Sequence, residues 1–267
     1  MDLGLRGRHA LVTGAHRGTG RVIARTLAAE GALVIVHGSD EATARDTVAE
    51  IERAGGTARA VWGGLDTDAG AAEVVAAVHA AAPSLDVLVN NLGQASGGTW
   101  ESADPADYVA SYQLNTLSAV RMIRAFVPGM RERRRGRVIQ LTTVGTLRPG
   151  ARMPQYYAAK GALATLTVSL ARDLAGTGVT VNSVAPGLIR TPETETYLRG
   201  LAERRGWTGD AGEIERLGVK ELTGAPVGRM ALPEEVAALV AFLASEQAAY
   251  LSGATFRVDG GAAESVV

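Results

Sequence analysis

The sequence predicts an α/β fold, a doubly wound parallel sheet of about seven strands with helices on both faces. Three observations carry this reading. Short apolar runs rich in Val and Ile, ending in Gly, Asn or Pro, read as strands. They alternate regularly with helix-period stretches, the order that places helices on both faces of a parallel sheet. The 267 residues show no break, repeat or low-complexity linker, which suits one α/β domain over 1–267.

The elements follow in order. "HALVTG" (9–14) is the first strand and 19–30 the first helix. "ALVIVHG" (32–38) leads to a helix at 40–54, and "TARAVWG" (57–63) to one at 69–81. "LDVLVNN" (85–91) precedes a long helix at 105–130, and "GRVIQLT" (136–142) precedes one at 155–175. "GVTVNSVAP" (178–186) is the sixth strand, 233–244 a helix and "ATFRVDG" (254–260) the seventh strand. Pro233 followed by Glu234 and Glu235 marks a helix start, with proline at the first position and acids near the positive end of the dipole. Residues 192–228 break the rhythm: long, charged and poor in strand signal. Such a loop in a compact domain is expected to be a functional cover, here a lid over a substrate.

Composition excludes several classes. Net charge is −1, so long-range attraction to nucleic acid or an anionic membrane is not expected. The one basic cluster, "RERRRGR" (131–137), is expected to be a solvated helix end and loop. There is no cysteine, hence no disulfide and no thiolate chemistry. The four histidines, at 9, 16, 37 and 79, have no metal-ligand spacing. No signal-peptide pattern and no membrane-length apolar run occurs, and the expected location is the cytoplasm.

Ligands of such sheets sit beyond the carboxyl ends of the strands, so the chemistry should follow the strands. The first turn, "VTGAHRGTGRVIA", carries Gly14, Gly18 and Gly20 between strand one and helix one. Glycine lets the backbone turn tightly and approach a pyrophosphate, and the helix N-terminus offers free amides. That is Rossmann-like physics in G-x-x-x-G-x-G spacing. Further on, "RMPQYYAAKGALA" (152–164) sets Tyr156 and Tyr157 four and three residues before Lys160. On a helix both spacings meet on one face, so either phenol can reach the ammonium, or both rings can pack a core helix.

"TGAHRGTG" (13–20), "NNLG" (90–93), Asn115 in "YQLNTLSA", "YYAAK" (156–160) and "NSVAPGLIRTP" (182–192) occur in the order seen in short-chain dehydrogenases/reductases, which the chain resembles over nearly its whole length. Its end, 228–261, is similar to that of 3-oxoacyl carrier-protein reductases. The resemblance implies a catalytic group of Asn115, Thr143, Tyr156 and Lys160. The family's serine lies thirteen residues before its tyrosine; counting back from Tyr156 reaches Thr143, whereas Tyr157 would give Val144. Three departures stand out: Thr143 for serine, Leu92 for the usual alanine and Thr19 where an apolar residue is common. By this analogy Lys160 lowers the phenol's pKa and holds the nicotinamide ribose, Thr143 bonds the substrate carbonyl, and Asn115 orders a water.

The resemblance further implies cofactor contacts from Gly14, Arg17, Gly18, Thr19, Gly20, Ser39, Asp66, Asn90, Asn91, Gly93, Tyr156, Lys160, Pro186, Gly187, Ile189 and Thr191. Substrate contacts are expected from Gln94, Ser96, Met153, Tyr157 and Leu188. NADP(H) is expected over NAD(H), which remains possible. Gly38 stands where an NAD site has a carboxylate, Arg17 offers a cation for the 2′-phosphate, and Asp40 is expected to cap the next helix. The expected activity is interconversion of a ketone and a secondary alcohol by hydride transfer with a tyrosine acid/base. The alternative is a catalytically weak, nucleotide-sensing relative. The family also implies a homotetramer or homodimer, a small-molecule partner, and neither nucleic acid nor membrane.

Overall fold

The computed structural model describes residues 2–264. Seven parallel strands form one sheet in the order β3-β2-β1-β4-β5-β6-β7. They are β1 (His9–Val12), β2 (Leu33–Gly38), β3 (Thr57–Trp62), β4 (Val87–Asn90), β5 (Gly136–Leu141), β6 (Val179–Pro186) and β7 (Thr255–Val258). The order reverses between β1 and β4, and there the crevice opens at the strand ends. Helices α1 (Gly18–Ala29), α2 (Glu41–Arg53) and α3 (Asp68–Ala81) connect the first half. The long helix expected at 105–130 is three pieces: α4 (Pro105–Tyr112), a π-helical turn (Gln113–Leu117) and α5 (Ser118–Glu132). Then come α6 (Pro154–Asp173), α7 (Pro192–Arg205), α8 (Ala211–Leu222) and α9 (Pro233–Ala244).

Successive strand residues feed opposite cores. Val12, Val34, Val89, Ile139 and Val184 meet α1 and α9, while Leu11, Ile35, Leu88, Val138 and Val181 meet α3 and α5. All are buried, which accounts for strands that read as continuous apolar runs.

One expectation requires correction, and a second holds with an exception. Residues 192–228 are not an unstructured loop: α7 and α8 pack on each other through Leu198, Leu201, Val219 and Met230. Thr191 caps α7, and Asp210 with Glu213 forms a capping box on α8. The run 131–137 is exposed through Arg135, a solvated helix end and loop as expected, and the exception is Arg137. Arg137 is buried and donates to the Ser245 carbonyl (3.0 Å) and Glu246 (3.1 Å), and Arg135 pairs with Asp86 (2.7 Å). Arg131, Arg133 and Arg134 donate to the carbonyls of Asp173, Leu85 and Gly176. The cluster thus fastens the amino-terminal side of the sheet.

Candidate active site

The glycine turn is built for close approach. A Cβ on Gly20 would collide with the Gly14 carbonyl and Asn91 Nδ2. Gly14 and Gly18 have φ of 64° and 53°, a region that favours glycine. Helix α1 begins at Gly18 with no side-chain cap from Arg17 and no acid in its first turn, so its amides are open to an anion. Thr19 lies half-buried in that first turn.

The end of β4 is laced to this turn. Asn91 and Leu92 N–H groups both donate to Thr13 Oγ1 (3.0 Å each), and Asn91 Nδ2 donates to the carbonyls of Thr13 (2.9 Å) and Gly14 (3.2 Å). Asn90 points into the sheet interior. Its amide, like that of its register neighbour Gln140, is buried with no hydrogen-bond partner among the described residues. The backbone of this stretch, rather than the Asn90 side chain, is what a ligand can meet.

His37, missed as a site residue, joins two cofactor-side loops. The Gly14 N–H donates to its Nδ1 (3.1 Å), and its Nε2 lies 3.1 Å from the Gly63 carbonyl. These partners fix the neutral tautomer with the proton on Nε2. Burial pushes its pKa down to about 4. A polar residue inside an otherwise apolar strand was the available signal.

Gly38 leaves little room for a side chain: a Cβ would meet Ala44 Cβ at 3.0 Å, the Asp40 carbonyl at 3.1 Å and His16 Cβ at 3.2 Å, so its neighbours would have to give. Asp40 caps α2, accepting from the Thr43 N–H (2.9 Å) and Thr43 Oγ1 (2.8 Å). Ser39 donates its hydroxyl to Asp40 (3.1 Å) and Arg17 pairs loosely with Glu193 (3.4 Å), so neither is held ready for a phosphate. Asp66 is exposed after β3, against Gly64.

Asn115, Lys160 and Gly93 converge. Asn115 sits in the π-helical turn, and its amide reaches both Gln94 and, one turn back, Ser111, whose carbonyl accepts from Nδ2 (3.1 Å). Its Oδ1 accepts from the Gln94 N–H (2.9 Å) and its Nδ2 donates to the Gln94 carbonyl (3.1 Å). A Cβ on Gly93 would lie 2.7 Å from both Asn115 Oδ1 and Lys160 Nζ. Lys160 is buried on α6, its ammonium donates to the Leu141 carbonyl (2.8 Å), and burial pushes its pKa down to about 8.

Thr143 lies just past β5 and caps the 3₁₀ turn Val144–Thr146, its Oγ1 accepting from the Gly145 N–H (3.2 Å). The Thr143 side chain lies close enough to the Tyr156 phenol to draw its pKa down, so the two residues chosen by the thirteen-residue spacing are neighbours. The electrostatics differ from expectation. Burial, aided by Tyr157, pushes the Tyr156 phenol up to about 12, opposed by Thr143. Lys160 is not among the groups that lower it, and its ammonium donates to the Leu141 carbonyl.

The remaining positions divide. Gln155 and Met153 fasten the loop after β4: Gln155 Nε2 donates to Ser96 Oγ (3.1 Å) and the Gly97 carbonyl (2.8 Å), and the Met153 N–H to Gly98 (3.0 Å). Ser96 is thus engaged in structure. Leu188 packs against the α7–α8 core. Pro186 ends β6, and the Gly187 N–H donates to Val258 (2.9 Å). Ile189 bridges to Ala231, and Thr191 spends its oxygen on the Thr194 N–H (3.3 Å).

A family model for short chain dehydrogenase matches residues 8–201. The chain belongs to the short-chain dehydrogenase family. It is an oxidoreductase, in keeping with the sequence resemblance. It is 39% identical over 256 residues to a short-chain reductase of Streptomyces niveus, covering 94% of this chain and 92% of that one. It is 36% identical to the 3-oxoacyl-[acyl-carrier-protein] reductase of Escherichia coli, over 96% and 97% of the two chains. Among solved structures, L-sorbose reductase from Gluconobacter frateurii, complexed with NADPH and L-sorbose, superposes with a TM-score of 0.93 at 32% identity, covering all of both chains. No helix among the described residues is long and apolar enough to cross a membrane, and no cluster of potential metal ligands occurs among them.

Proposed function

We propose that this dehydrogenase interconverts a ketone and a secondary alcohol, using NADP(H) in preference to NAD(H). The observation that carries the reading is the meeting of Thr143 with Tyr156, beside Lys160 and Asn115 at the strand ends. The residues fit a dinucleotide: a glycine turn closed to a Cβ at Gly20, an uncapped α1 N-terminus, and a bare Gly93 backbone between Lys160 and Asn115. When bound, the nicotinamide supplies or accepts the hydride. Tyr156 gives its proton to the carbonyl oxygen as negative charge builds there. Its raised pKa keeps the phenol protonated at neutral pH, the form that a donor needs. Thr143 donates a second hydrogen bond to the same oxygen; the Gly145 N–H occupies one of its lone pairs and leaves the hydroxyl proton to point elsewhere. Asn115 fixes the loop at Gln94, so the Gly93 backbone passes the ribose position without a side chain in the way.

The NADP(H) preference rests on Gly38, which cannot carry the carboxylate of an NAD site without displacing Ala44 or His16, and on Asp40, whose oxygens are committed to capping. Arg17, on the glycine turn, is not preset for a phosphate, but its 3.4 Å pairing with an exposed Glu193 is weak enough to exchange for one. The NADPH complex of the sorbose reductase supports the same choice. In this reading α7 and α8 form the substrate cover, and the protein is a cytoplasmic homodimer or homotetramer. The exposed apolar residues Val109 and Tyr112 of α4 support self-association.

The test is turnover of NADPH with a panel of ketones, followed by reduced-nicotinamide absorbance. Wild type should turn over, and Tyr156→Phe should lose roughly 10²–10⁴ in kcat, the span of a general acid. Full activity in Tyr156→Phe would remove the proposed acid.

A further inference from the structure

Beside the acid lies a second tyrosine whose ring has a socket of its own. A Cβ built on Gly145 would fall against Tyr157 Cε1 and Cδ1, and 3.0 Å from Cζ, so the ring lies directly on the Gly145 backbone. Gly145 is buried and its φ is not left-handed, so alanine is allowed there by backbone conformation and excluded only by the ring. Gly145 is also the residue whose N–H donates to Thr143 Oγ1. The opposite side of Tyr157 faces Tyr156, with ring centroids 5.7 Å apart and planes at 53°. The Tyr157 hydroxyl end reaches Gly150, at 3.7 Å from a Cβ built there. One ring thus touches the acid, the turn that holds the Thr143 hydroxyl, and the loop beyond it.

We infer that Tyr157 is a positioning residue: its ring, seated on Gly145, pins the Val144–Thr146 turn and so holds the Thr143 hydroxyl against Tyr156. This rests on the reading of Thr143 and Tyr156 as the reacting pair. Threonine makes the pinning matter. Its β-branch restricts χ1, so the hydroxyl direction follows the backbone of the turn rather than a free rotor. A turn displaced by a fraction of an ångström moves the donor off the carbonyl oxygen, and misplacements near 1 Å cost on the order of 10²-fold. Gly145 is then glycine for space, as the counterpart of the residue at 157.

The experiment measures kcat, KM, NADPH affinity and melting temperature in Tyr157→Phe, Tyr157→Leu, Gly145→Ala, the double variant Gly145→Ala/Tyr157→Ala, and Thr143→Val with and without Tyr157→Leu. Tyr157→Leu and Gly145→Ala should each lower kcat by about ten- to a hundredfold with NADPH affinity held. Tyr157→Phe, which keeps the ring, should exceed Tyr157→Leu in kcat by about tenfold or more. In the double variant the added methyl enters the space that the ring leaves, so kcat and melting temperature should recover relative to Gly145→Ala. In the Thr143→Val background Tyr157→Leu should cost little more, because the residue it acts through is gone. Equal kcat in Tyr157→Phe and Tyr157→Leu, or full additivity with Thr143→Val, would overturn the inference. If Gly145→Ala does not fold, those two comparisons decide alone. If wild type is inert to every ketone, the functional reading fails, and the seating is judged by melting temperature: a double variant no more stable than Gly145→Ala would overturn it.

Discussion

Replacing His37 should flatten the acid limb of the stability curve. The ring is buried at the end of β2, accepting from the Gly14 N–H on one side and facing the Gly63 carbonyl on the other. Protonating Nδ1 would set an N–H against an N–H in a site closed to water. Burial therefore pushes its pKa from 6.5 to about 4, with His16 adding to the effect and the Gly63 bond opposing it. The unfolded chain takes up the proton near the ordinary value, the folded chain only near the lower one. Between them the unfolded state binds more protons, so stability is full above the ordinary value and falls as pH falls toward the folded value. The difference corresponds to about 3 kcal/mol below both values, of which about 2 kcal/mol is lost between pH 7 and pH 5.

Urea unfolding across that range, at fixed protein concentration, reads the effect. His16, whose pKa is also lowered by burial and by Arg17, contributes an acid response of the same sign, so the decisive quantity is the difference between wild type and His37→Gln. Glutamine keeps an acceptor and a donor but binds no proton. Carboxylates held low, such as Asp40, Asp86 and Glu235, titrate below the window and leave the comparison intact. Wild type should lose about 2 kcal/mol more than the variant between pH 7 and pH 5. Parallel losses in the two proteins would refute the reasoning and leave His37 a packed ring with no part in the acid response.

Thr143→Ser should stay active and Thr143→Val should lose on the order of 10²–10³ in kcat, the scale of one oxyanion donor; equal rates for Val and wild type would remove the hydroxyl from the mechanism. Arg17→Ala should weaken NADPH by roughly ten- to a hundredfold in KM and leave NADH nearly unchanged, whereas a wild-type preference for NADH would sink the cofactor assignment. With the Tyr156 phenol near 12, ketone reduction should be nearly flat across neutral pH and alcohol oxidation should rise toward alkaline pH, read from initial rates in both directions. Amides of 192–228 should exchange faster in the free protein than in a ternary complex; equal protection in both would make α7 and α8 a fixed insert.

The sheet was legible because its signals are local. Each strand carries its own Val and Ile run, and Pro233 with its two acids marks α9 at the residue where it begins. The helices α7 and α8 were not read, though their start signals are present: Thr191 before Pro192, and Asp210 three residues before Glu213. Their shared core joins Leu198 and Leu201 to Val219 and Met230, too far apart for any single window to register as amphipathic. The arginine run was legible as an exposed helix end but not at Arg137 or in its tethers, for a related reason. Its partners, Asp86, Asp173 and Glu246, are scattered along the chain, and charge alone does not tell a solvated face from a set of tethers.

At the candidate site, spacing identified which groups could meet but not what each does to the other's proton. Four residues along a helix bring Lys160 within reach of Tyr156, and thirteen residues back place Thr143 just past β5. A pKa depends on desolvation and on which partner a charge selects, and neither is written in spacing. Lys160 is buried and directed to the Leu141 carbonyl, while Tyr156 is buried against the Tyr157 ring with Thr143 as the neighbour that opposes the rise in its pKa. An ammonium in that position is costly unless an acceptor is near, and the Leu141 carbonyl is that acceptor. Drawing the ammonium toward the phenol would require an oxygen that takes over the role of Leu141 or lies between the two groups. The resting protein therefore holds a protonated phenol and an ammonium committed to the backbone, an arrangement suited to giving a proton to a ketone and poorly suited to taking one from an alcohol at neutral pH.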